Sequence, residues 1–415
     1  MLLSWSPQAM SPRNVLKNRV SLREFAPAVV LVLNSLIWFT LLTPALGTLV
    51  DNMGLATTEN MILHGIYYAG IAAAAIVGAF VFPRRRETYL LSWMLFGCIV
   101  TALPLLVNSE QLYLNALVLI VAGISVGLGL PSTLAYFADT TTVENRGTYG
   151  GITWSTVGFG ILTFAVALTT FDLPNTLLAL AVWRAAGLLV FFLLVRIRGK
   201  LQQSSSKPRY GTILRRRDVM LYLLPWIMFS LINFIEAPIL GKVFGESQEI
   251  IGVVEFAITG IFATVGGIMA DLVGRKRVVI TGFVILGIEY AVLSLFAGFT
   301  ASWYVYTVFD GIAWGMFASV FFMTLWGDLA ETNQKEKFYV LGGLPYLLAG
   351  FLPVVVKPFL ATIETTTAFS LASFFLFVAV LPLMYAPETL PEKKIREREL
   401  KEYIQKARKT SEKYT

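Results

Sequence analysis

The sequence predicts an all-α membrane protein: twelve transmembrane helices in two six-helix pseudo-symmetric bundles, with both termini cytoplasmic. Three observations carry this. The 415 residues are 56% hydrophobic and 14% charged, whereas charge in a soluble domain runs near a quarter. The apolar runs are long enough to cross a hydrocarbon core of about 30 Å, which takes about 20 residues as a helix. Threaded in alternation, those runs leave all but Arg184, Lys242 and Lys357 of the 33 lysines and arginines on one side. Cytoplasmic loops keep an excess of Lys and Arg, so that side faces the cytoplasm.

The predicted spans are 26–50, 62–82, 88–107, 112–138, 147–171, 175–196, 218–242, 250–270, 278–299, 303–329, 338–360 and 365–386. Helices satisfy their own backbone hydrogen bonds, which lipid requires of a spanning segment. The first span follows Arg13, Lys17, Arg19 and Arg23 and is too long for a signal-peptide core, so it reads as a retained anchor. The lone Cys98 excludes an internal disulfide. A pI near 9.3 would suggest nucleic acid in a soluble protein; here the basic residues serve topology and contact with anionic membrane lipid, and no nucleic-acid partner is expected.

The chain divides into a cytoplasmic N-terminal segment (1–25), a first bundle (26–196), a basic cytoplasmic central loop (197–217), a second bundle (218–389) and a charged cytoplasmic tail (390–415). The bundles echo each other. SLIWFTLLTPALG (35–47) matches SLINFIEAPILG (230–241), and AGISVG (122–127) matches DGIAWG (310–315). Residues 137–151 share their layout with 326–343: an acid ends a helix, a polar loop with a basic residue follows, and paired glycines open the next. Parallel repeats of this kind place a solute site between the halves, near mid-membrane.

A duplicated six-plus-six plan with a basic central loop resembles the major facilitator superfamily over the whole chain. The family's loop signature, Gly-x-x-x-Asp-x-x-Gly-Arg-Lys, stands in the second half as Gly267, Asp271, Gly274, Arg275 and Lys276. Glu144, Arg146 and Gly147 are similar to the family's Arg-Gly loop after the fourth span. The resemblance implies that these residues latch a cytoplasmic gate; a short basic turn that only fixes topology is the alternative. The first half departs from the signature, with Phe82 where the acid belongs and Pro83 beside it. Pro387-Glu388-Thr389 resembles the end of several solute-porter branches, and the fifth span has no Gly-Pro pair, the signature of drug antiporters.

Ionisable residues within spans are costly and mark function by default. At about 1.5 Å per residue, Glu236, Glu255, Asp310 and Lys357 lie roughly 5–10 Å from the outer end. They form one layer on spans 7, 8, 10 and 11, which in the family line the cavity. They are candidates for proton coupling, since a carboxylate in low dielectric can take up a proton near neutral pH. An outer-gate ion-pair network is the alternative. Helical spacing adds Asn233 and Trp314 to the predicted cavity, and the first half offers the neutral groups Asn34, Trp38 and Ser125. Arg184 and Glu289 fall on spans read as support, with no evident partner for Arg184.

The expected function is secondary active transport of a small polar organic solute, sugar-like or another metabolite, across the plasma membrane by alternating access, coupled to protons and carried out by a monomer. A proton-driven exporter of drugs or lipophilic cations is one alternative; a non-transporting receptor or scaffold of the same fold is another. The sequence has no nucleophile with a base, no metal cluster and no phosphate loop, so no enzyme and no cofactor is expected.

Overall fold

In the computed structural model the described residues are 20–80, 86–106, 111–195, 209–330 and 335–390. The basic run Arg84–Arg85, most of the central loop and the charged tail lie outside them. Twelve helices are long and apolar enough to cross a membrane: α1 (Leu22–Asp51), α2 (Thr57–Phe80), α3 (Arg86–Leu106), α4 (Leu112–Thr140), α5 (Arg146–Leu168), α6 (Leu173–Leu194), α7 (Arg217–Ser247), α8 (Ile250–Val273), α9 (Arg275–Phe296), α10 (Thr300–Leu329), α11 (Lys335–Phe359) and α12 (Thr365–Tyr385). The described residues contain no strand.

Local chemistry sets the helix ends. Asp172 caps α6, its carboxylate accepting from the Asn175 amide at 2.9 Å, and Pro174 fills the first turn, where a missing N–H costs nothing. Between α8 and α9 the chain turns on Gly274 alone, at φ 106°, a left-handed conformation that glycine adopts without strain. The interior of α10 is not regular: a π-helical stretch at Ala318–Phe322 separates its two α-helical parts, a local widening often found at functional sites.

The packing repeats. In the first half α2 lies on α4, and α6 packs on α1 and α3; in the second α8 lies on α10, and α12 packs on α7 and α9. The halves meet along two seams that the duplication relates to each other, α5 on α8 and α11 on α2. Lipid tails are as apolar as the helices, so seams in a membrane rely on close packing. On the α5–α8 seam, Gly267 lies against the Gly147 carbonyl and Gly151 against the Ala263 carbonyl, with no room for a side chain. The α2–α11 seam is built from Ala75, Ala79, Val340 and Leu344 instead.

Candidate functional site

The start of α1, the end of α12, and the ends of α2, α4, α8 and α10 with the starts of α3, α5, α9 and α11 share one end of the bundle, called the terminal face here. Every ion pair among the described residues lies there. Two clamps stand out. In one, Asp328 at the end of α10 pairs with Arg146 of α5 and, at 3.0 Å, with Arg275 of α9. Arg146 also donates to Thr141 (3.1 Å) and to the Ala138 carbonyl (2.9 Å), and Arg275 donates to the Val143 carbonyl across the seam. In the other clamp, Asp139 at the end of α4 pairs with Lys335 of α11 at 2.5 Å and with Arg86 of α3, which also reaches Glu336.

The signature loop joins the first clamp. Asp271 accepts from the backbone amides of Gly147 (3.0 Å) and Thr148 (2.6 Å) at the start of α5 and pairs with Arg275 at 3.0 Å. A carboxylate at a helix N-terminus meets free amides and the positive end of the helix dipole. On the far side of that loop, Glu388 accepts from the Arg275 (2.8 Å) and Lys276 (3.1 Å) amides, tying the chain after α12 to the start of α9. Gly267, Asp271, Gly274, Arg275, Lys276, Arg146 and Gly147 therefore meet at one point, with Glu144 half-buried in the adjoining loop. Asp139, Asp328, Glu336 and Glu388 stand on this face as well and are not among the gate residues expected from sequence. The repeat carried the signal, because Asp139 and Asp328 are the acids that end corresponding helices.

Above this closed face, a cavity of about 350 Å³ lies between the halves. Tyr339 and Val340 of α11 lie at its terminal end, and it extends to Phe244 and Gln248 at the α7–α8 corner near the opposite face. Trp154 and Phe322 stack across the seam with centroids 5.0 Å apart, and Tyr346 meets Trp314 at 5.8 Å and Phe322 at 5.0 Å. Glu255, Asp310, Asn233 and Trp314 all line it. Asp310 lies within electrostatic reach of Glu255, of the Tyr306 hydroxyl and of Glu289, which is buried behind it on α9. Glu289 is fully buried and its carboxylate faces Asp310. At the opposite face α2 meets α11 through Tyr68, whose ring centroid lies 6.0 Å from that of Phe351 and which packs against Gly350.

The remaining candidates lie elsewhere. Glu236 is buried in α7, one carboxylate oxygen unpartnered, and is not on the cavity wall. Lys357 is exposed at the end of α11 and takes no part in the carboxylate cluster. Asn34, Trp38 and Ser125 correct the expected cavity: all three are buried in the core of the first half. Arg184 accounts for two of them. Its guanidinium donates to Asn34 (2.8 Å) and Ser35 (2.9 Å) and stacks between Trp38 and Trp93, 4.5 and 4.3 Å from their ring centroids. The α1 groups expected to face a solute thus solvate an arginine from α6. Glu289, expected to be a support residue, stands instead beside the cavity cluster.

The family model for the Major Facilitator Superfamily matches residues 28–254. No curated protein matches the sequence. The fold is similar to that of the human organic anion transporter MFSD10 (TETRAN), at TM-score 0.66 and 14% identity, over 90% of this chain and 100% of that one. It is similar to the proton:xylose symporter XylE bound to 6-bromo-6-deoxy-D-glucose, at TM-score 0.67 and 15% identity over 89% and 97%. A double Trp mutant of XylE aligns at TM-score 0.69 and 14% identity over 91% and 98%. The chain belongs to the Major Facilitator Superfamily, whose members are membrane transporters and not enzymes.

Proposed function

We propose that this chain is a secondary active transporter that carries a small organic solute across the plasma membrane by alternating access, coupled to protons and acting as a monomer, with the terminal face cytoplasmic. One observation carries the proposal: two carboxylates, Glu255 and Asp310, sit on the wall of a cavity between two repeats, with a third, Glu289, behind them and one end of the cavity shut. Like charges this close favour uptake of positive charge, and a proton is the smallest carrier of it. The likeness in fold to a proton:xylose symporter supports coupling, and the distribution of Lys and Arg supports the orientation. A polar solute such as a sugar would use Asn233, Thr40, Thr259 and Trp314; an exported lipophilic cation is the second class, favoured because no Lys, Arg or His lines the cavity.

The test is proton flux in proteoliposomes containing a trapped pH dye, with sugars, organic acids, amino acids, nucleosides and organic cations added in turn. At least one solute is expected to move protons in the wild type and not in Asp310→Asn or Glu255→Gln. Solute flux that stays fully pH-dependent in both variants would rule out the coupling site. Binding without any flux would turn the proposal towards a receptor.

A further inference from the structure

We propose that the cargo of this cavity is a small amphipathic organic cation, held by the Glu255–Asp310 pair against an aromatic wall of Trp154, Trp314, Phe322 and Tyr346. The inference rests on the transport function proposed above and narrows its substrate. The cavity wall carries two acids and no basic residue, so an anionic cargo would meet only repulsion. A neutral polyol would find neutral hydrogen-bonding groups dispersed around the wall, as Thr40, Asn233, Gln248 and Thr259 and the polar edges of its tyrosines and tryptophans, with no counter-charge for the acids. It would also leave the carboxylates uncompensated in a site of low dielectric.

A cation answers both demands. Its charge meets carboxylates that have no counter-cation on the wall, and its apolar body meets ring faces that attract positive charge electrostatically. The halves divide the work. Both charges come from the second half, while the first contributes apolar surface such as Leu36, Phe39 and Leu130 together with Trp154. The volume of about 350 Å³ lies at the small end of ligand sites, which run about 300–1,000 Å³, and favours a single-ring amine or quaternary ammonium. The groups facing Asp310 are Glu255 from α8, Glu289 and Tyr290 from α9 and Tyr306 from α10, with Glu236 of α7 near Tyr290. All are acids or phenols, so protons on the pair and a bound cation compete for the same negative charge.

Phenyltrimethylammonium and benzenesulfonate share a ring and a tetrahedral head and differ in the sign of their charge. Thermal unfolding and Trp fluorescence of the full-length purified protein would be measured with each, and with D-xylose as a neutral polar probe. The ammonium is expected to raise the unfolding temperature, more so at alkaline than at acid pH, and benzenesulfonate to leave it unchanged. Its affinity should fall at least about tenfold in Asp310→Asn, since a desolvated charge pair loses one partner. Glu255→Gln gives the same test should the first variant not fold, and Trp314→Leu tests the wall. Equal binding of both ions, or an ammonium affinity unchanged in both carboxylate variants, overturns the proposal. So does stabilisation by xylose alone; if xylose also drives proton flux in vesicles, the transport function stands and only the cargo class falls.

Discussion

The two clamps on the terminal face are copies of one device, and they differ in strength. A single offset of 189 residues relates Arg86 to Arg275, Asp139 to Asp328 and Arg146 to Lys335. In each clamp an acid at the end of the fourth helix of one half takes a base from its own half and a base from the other. The Asp328 clamp has no exposure at its acid, gains Asp271 at the N-terminus of α5, and sits on a glycine seam. The Asp139 side chain is 38% exposed and is held by a lysine in place of an arginine. The residue equivalent to Asp271 is Phe82, which lies outside the described residues. The Asp139 clamp has an extra carboxylate of its own, Glu336, but it pairs only with Arg86 while Asp271 also caps α5. Symmetry sets where the charges stand, and burial of the central acid and the cap on α5 set what each clamp is worth. The comparison predicts that the α5–α8 seam holds while the α2–α11 seam yields first.

The largest effect is expected from Asp328→Ala. It leaves Arg146 buried without its carboxylate and Arg275 with Asp271 alone, a loss that costs about 3–5 kcal/mol in buried pairs, read as a fall in the denaturation midpoint. Gly267→Val should come next, by about 1–3 kcal/mol, because added volume in a packed seam forces backbone apart; labelling of Thr148→Cys from the terminal face would rise with it. Asp271→Asn removes the charge at the start of α5 and one of the two acceptors for the Gly147 and Thr148 amides, and should cost about 1–2 kcal/mol. Asp139→Asn should cost no more than about 1 kcal/mol, in line with partly exposed pairs. An Asp139 effect equal to that of Asp328 would show that the clamps are equivalent after all.

A second contrast separates the cores of the halves. The first buries one cation, Arg184, with neutral hydrogen-bond acceptors and two tryptophan faces. The second buries Glu289 beside two cavity acids. The arginine is enclosed and the carboxylates reach the cavity, so chemistry that responds to solute belongs to the second half.

Hydropathy located the spans because lipid demands long apolar helices, and it missed their ends where charged residues continue the helix. Thus α9 begins at Arg275 where the apolar run begins near 278, and α7 continues to Ser247 past Lys242. The gate loop was legible because its spacing is a local motif. The cavity was half legible. Glu255, Asp310, Asn233 and Trp314 lie on faces whose neighbour is the other half. Helical spacing puts Asn34 and Trp38 on one face of α1 but cannot say which helix that face meets, and their partner Arg184 lies about 150 residues away. Glu289 was missed for the same reason, its place beside Asp310 being set by how α9 packs on α10.

The most direct measurement is a distance across the terminal face, by pulsed dipolar spectroscopy between nitroxides at Thr142→Cys and Arg277→Cys in a Cys98→Ser background. Both positions are exposed and flank the contact between Arg275 and the Val143 carbonyl. A single short distance is expected in the wild type, a broad and longer distribution in Asp328→Asn, and a smaller shift in Asp139→Asn. An unchanged distribution in Asp328→Asn would contradict the account of the clamps as the gate that holds this face shut.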